Sequence, residues 1–129
     1  MTDIKKHINY WKKSAVNNWQ TALDIFKTKH YDAYLFFCHL TIEKLLKGLA
    51  VKKIKKAAPF THDLTVLAQV ADIELLEKEK ELLRVMNTFN ISTRYDDYKF
   101  QFYKKATRIY ADKYLKKSHK LYLWLIKKY

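Results

Sequence analysis

The feature that most limits the fold of this chain is a scarcity: 129 residues include one glycine, Gly48, and one proline, Pro59. Hairpins and tight strand connections depend on those two residue types, because glycine reaches positive φ and proline presets a turn. Their scarcity argues against a sandwich or a barrel and for long helices joined by few connections. The length suits one core and is too short for two ordinary domains, so residues 1–129 are expected to form a single domain. Hydrophobic residues at 49% supply enough apolar surface to rule out a disordered polymer.

Helical periodicity runs along the chain. From residue 3 to about 28, Ile8, Trp11, Ala15, Trp19, Ala22 and Phe26 recur at gaps of three or four, with lysines and amides between them. "TKHYD" breaks that pattern, and Asp32 is placed to accept from backbone N–H groups at the next helix start. The second helix, about 31–53, carries apolar residues on more than one stripe and is expected at the centre of the fold. The lysine-rich "KKIKKAAPFTHD" reads as a loop, after which Thr61 or Asp63 can cap a short helix through "LTVLAQVAD".

A third long helix, about 73–91, sets Leu75, Leu82, Met86 and Phe89 on one side, opposite "EKEKE". "NISTRYDDYKF" is a polar, aromatic connector, and a final helix over about 101–128 turns Phe102, Ala106, Ile109, Tyr110, Leu121, Trp124 and Leu125 inward. The expectation is an all-α, antiparallel up-and-down bundle of four long helices plus one short inserted helix.

Charge is uneven. The chain has a formal net charge of +13, and residues 99–129 hold ten Lys or Arg against one acid, Asp112. That balance suits a nucleotide, RNA or an acidic protein surface, and equally a well-solvated aromatic-rich domain. The acid-bearing third helix and the basic last helix are free to pair within one molecule or between two. Cys38 is the sole cysteine, so no intramolecular disulfide is possible. No apolar run exceeds six residues, and the start shows no secretory h-region, so a cytoplasmic protein without a membrane span is expected. No phosphate loop can be built with one glycine, and no serine-centred nucleophile motif is present.

The residues that invite a functional reading lie in "HLTIEKLLKGL", 39–49. His39, Glu43 and Lys47 are four apart, so Glu43 touches both neighbours one turn away, either as an edge ion pair or to orient Lys44 and Lys47 in a cleft. A metal bound by His39 and Glu43 would need further ligands, for which His62 and Asp63 are the candidates by type. "THDL", 61–64, is a cap that also offers His62 to an anion. In "RYDDY", 94–98, Arg94 either holds Asp96 or Asp97, or grips phosphate while Tyr95 stacks on a base.

Taken in order, "YWKKSAVNNWQTALDIFKTKHYDAYLFFCHLTIEKLLKGL", "THDL" and "RYDD" resemble the HEPN domain family, the higher eukaryote and prokaryote nucleotide-binding domains. The resemblance implies a bundle of four or five helices, a homodimer, and a partnership with a small nucleotidyltransferase in a two-component, toxin–antitoxin-like system. It places Glu43, Lys44, Lys47, His62, Asp63, Arg94 and Tyr95 on the family's characteristic positions around a ligand cleft, with no metal or cofactor. HEPN ribonucleases carry Arg followed by His after four to six residues. Here Arg84, Arg94 and Arg108 have no histidine at those offsets, and His119 lies eleven beyond Arg108. The resemblance therefore implies a binding role. The alternatives are a metal-independent ribonuclease using His62 or His119 with Arg94 or Arg108, and a purely structural dimerisation partner.

Overall fold

The structure is a computed structural model describing residues 2–91 and 96–129. Six helices are seen among them: α1 (Thr2–Lys27), α2 (Tyr31–Ile54), α3 (Leu64–Val70), α4 (Glu77–Ile91), α5 (Asp96–Lys105) and α6 (Arg108–Ile126). The all-α bundle is the expected class.

Helix α2 packs against each of the other five helices, most extensively against α1. Its composition explains this place. Tyr34, Leu35, Cys38, Ile42, Leu45, Leu46 and Leu49 point in several directions and are all buried, so no face of α2 could stay in water without loss. From α1, Ala15, Trp19 and Ala22 close one side, and from α4 Leu83, Met86 and Phe89 close another. Phe89 then gathers Phe102, Tyr110 and Tyr114 at centroid distances of 5.4–6.3 Å, which ties α4 to α5 and α6.

Four local expectations are corrected. Asp32 does not cap α2: it lies in the first turn, and His30 occupies the cap without a side-chain bond to the helix. Helix α4 starts at Glu77 rather than 73, because Glu79 turns back to accept from the Leu76 amide at 2.8 Å and fixes the start there. The final helix is two helices: Thr107 adopts extended backbone and its hydroxyl accepts from the Tyr110 amide, ending α5 and beginning α6. That restart turns Ile109 outward, 84% exposed, where a continuous helix would have faced it to the core.

The C-terminal residue crosses back over α2. The Tyr129 hydroxyl donates to the Leu45 carbonyl at 2.6 Å, and its ring lies against Gly48, where a β-carbon would overlap it. The chain's one glycine thus serves close approach.

Candidate functional site

The residues of interest sit where α2 meets α1 and the 55–63 loop. His39 and Glu43 were expected where α2 emerges into a cleft, yet both are inside, at 1% and 4% exposure. A buried carboxylate must be paired and hydrogen-bonded, and Glu43 is. Its Oε2 meets Lys47 Nζ at 3.0 Å, and its Oε1 accepts from His62 Nδ1 at 3.0 Å. His39 approaches the same oxygen at 3.8 Å while its Nε2 donates to the His62 carbonyl at 3.1 Å. Two successive turns of α2 therefore hold the loop at one residue, by side chain and by backbone.

Lys47 is nearly buried and lies 5.4 Å from the Trp11 ring of α1, so its charge meets a carboxylate on one side and an aromatic face on the other. His62 remains half exposed. With Nδ1 engaged by Glu43, Nε2 is the nitrogen left for an outside group.

The other expected residues are distributed differently. Lys44 turns toward α1 and donates to Ser14 Oγ at 2.7 Å, and burial lowers its ammonium from the ordinary lysine range. Asp63 faces the opposite way from its neighbour His62. Its Oδ1 accepts from the Thr65 amide, the Thr65 hydroxyl and Asn87 Nδ2 at 2.6–3.0 Å, while Asn87 Oδ1 accepts from the Leu64 amide. Those bonds hold the Asp63 carboxyl below the usual carboxylate range. Arg94 and Tyr95 lie outside the described residues. The structure thus brings Glu43, Lys47 and His62 together, sends Lys44 to α1, and gives Asp63 to α3 and α4.

Four partners were missed in the sequence: Trp11, Ser14, Asn87 and the His62 carbonyl. Asn87 left a signal, being an amide beside Met86 on the apolar side of its helix. Ser14 and Trp11 left none, because nothing in sequence relates α1 to α2 in register. Among the described residues no group of three or more His, Cys, Asp or Glu is placed to hold a metal ion. The residues with ligand chemistry here are engaged with one another, with Lys47 or with backbone. No described helix is long and apolar enough to cross a membrane.

A comparison with family models decides the family, since the HEPN domain model matches residues 8–129. The chain belongs to the HEPN domain family. In fold this HEPN domain is similar to TT1696 from Thermus thermophilus, whose crystal structure aligns with a TM-score of 0.79 at 22% identity, over 95% of this chain and 98% of that one. A comparison with curated proteins gave no match.

Proposed function

We propose that this HEPN domain is a non-catalytic binding protein that takes a phosphate-bearing ligand, a nucleotide or nucleic acid, at the face formed by His62 and Lys47. It acts as a homodimer and as the partner of a small nucleotidyltransferase. The observation that carries this reading is the buried Glu43 carboxylate, which fixes Lys47 and a half-exposed imidazole on its two oxygens. Such a pair is held in place before a ligand arrives, which lowers the ordering cost of binding. By family position Arg94 and Tyr95 join the ligand set, whereas Lys44 is turned to α1 and Asp63 to α3 and α4. The excess of lysine and arginine over residues 99–129 adds long-range attraction for anions.

Titration of the purified protein with ATP, GTP and a short RNA, at low and moderate salt, tests it. Binding that survives moderate salt and is lost in His62→Ala is expected, whereas a purely general attraction to phosphate vanishes with salt. No binding to any of the three, alone or with a nucleotidyltransferase partner, removes the proposal.

One observation favours a second reading. A carboxylate bonded to Nδ1 of a half-exposed histidine is also how a general base is oriented. His62 Nε2 would take the proton of an RNA 2′-hydroxyl as that oxygen bonds to phosphorus, while the 5′ oxygen departs with a proton from solvent. That reaction leaves 2′,3′-cyclic phosphate ends, and the absence of such ends after incubation with RNA eliminates it.

A further inference from the structure

The cluster on Glu43 has an aromatic neighbour that neither it nor the core uses. Phe60 is 107% exposed, the most exposed large apolar side chain among the described residues. Exposure alone means little, since single apolar residues are common on a surface. What sets Phe60 apart is how its backbone is held. The Thr61 amide donates to the Pro59 carbonyl at 3.1 Å, so Phe60 stands at the centre of a three-residue turn, and its φ is negative, as in the common inverse form. Pro59 restricts the entry to that turn. The exit is held too: the Thr61 hydroxyl accepts from the Asp63 amide at 3.1 Å, while His39 and Glu43 engage the His62 carbonyl and Nδ1. The ring is thus displayed on a backbone fastened on both sides, and its Cα lies within about 7 Å of that of His62. Lys55 and Lys56 stand exposed at the start of the same loop, and residues 52–62 carry no acid. Trp11, the other ring at the site, is only partly exposed and has Lys47 5.4 Å from its centroid.

We infer that Phe60 stacks on the base of a ligand whose phosphate is gripped by His62 and Lys47, so that this site selects a nucleotide with an unpaired base over other phosphates. The inference rests on the anion site proposed above and names what that site prefers. A phosphate asks only for positive charge and donors, which Lys47 and a protonated His62 supply. Neither offers a base anything to lie on. Phe60 does: its ring is open to solvent, a base has a flat face of its own, and stacking removes both from water. Two residues of separation are short enough for one nucleotide to reach the charged groups and the ring together. The loop is ordered beforehand, so little freedom is lost in meeting the base. A stack reads no base edge, so the presence of a base should count for more than its identity. A base inside a duplex has its faces covered by its neighbours, which makes a mononucleotide or a single strand the fitting ligand.

Two probes alike in sugar and phosphate separate the ring's part from that of the anion site: adenosine 5′-monophosphate and ribose 5-phosphate. In calorimetric titration at moderate salt, the parent should bind the nucleotide at least tenfold more tightly than the sugar phosphate, the worth of one base on an aromatic ring. Phe60→Ala should bring the nucleotide down to the level of the sugar phosphate and leave the sugar phosphate unchanged, while Phe60→Tyr keeps the parental preference. Phe60 lies outside the core, so both variants should retain the parent's circular dichroism and melting temperature. With oligonucleotides of about eight residues, Phe60→Ala should weaken a single strand and leave a duplex of the same length unchanged. If the parent binds the two small probes equally, or if Phe60→Ala weakens both of them, or strand and duplex, by the same factor, the stack is overturned while the anion site stands. If neither small probe binds the parent, the anion site falls, and the stack with it.

Discussion

Glu43 illustrates what one carboxylate costs and gives inside a bundle. Its desolvation is offset only because Lys47 and His62 reach it from two directions. Glu43→Ala should therefore leave Lys47 nearly buried and unpaired, lowering stability by about 2–4 kcal/mol in urea denaturation. Glu43→Gln, which keeps the shape and one acceptor, should cost less. The Glu43–Lys47 half of this cluster was legible at i, i+4 spacing, but the His62 half came only through the family resemblance, because nothing local reports that a loop returns to α2. Gly48 shows the same limit. A lone glycine in a helical stretch says nothing of which residue comes close to it, and only the fold shows that neighbour to be Tyr129. Gly48→Ala should cost about 1–2 kcal/mol by displacing the partly buried Tyr129 ring and its bond to Leu45. In a Tyr129→Ala background the same change should stabilise by about 1 kcal/mol, the ordinary helix preference for alanine over glycine. A double-mutant cycle in which Gly48→Ala has the same sign in both backgrounds would refute this account.

Individual helices were legible to the degree that their ends are set locally. The periodicity of α1 and the continuous apolar composition of α2 gave their bounds to within a residue or so, since a short break separates the two. The α5–α6 break was missed because the apolar spacing of Phe102, Ala106 and Tyr110 runs straight through Thr107, and a cap in mid-pattern is decided by where the neighbouring helices lie. Helix α3 is the clearest case of an element held by polar bonds. It spans seven residues, too few to persist alone, and Asp63 with Asn87 fastens its start to α4. Asp63→Ala should cost about 1–2 kcal/mol. Because its native carboxyl is held below the ordinary value, the Asp63 contribution is fully present above about pH 4 and is lost as pH falls through the lowered native value. The stability gap between the parent and Asp63→Ala should accordingly be flat from about pH 7 to 5 and narrow in more acid solution. A gap unchanged down to about pH 2.5 would contradict the assignment.

At the scale of the molecule the dominant fact is a net charge of +13 in a chain of 129 residues, which opposes the compact state by self-repulsion. Ion pairs relieve little of it: Arg84–Glu81, Lys53–Asp72 and Lys116–Asp112 are all exposed. Raising sodium chloride from about 20 to 200 mM should therefore raise the melting temperature, because the Debye length contracts from roughly 20 Å to below 10 Å and screens the lysines from one another. Inorganic phosphate at matched ionic strength separates that general effect from a site. If His62 and Lys47 form a prepared anion pair, phosphate binds the native state and adds stability in proportion to the logarithm of its concentration over its dissociation constant. Phosphate should then raise the melting temperature further than chloride does, and His62→Ala should abolish the difference while leaving the chloride response intact. Equal responses to the two salts in the parent would mean that the lysines act only as a diffuse field, and that the histidine and lysine on Glu43 serve to hold the loop against α2.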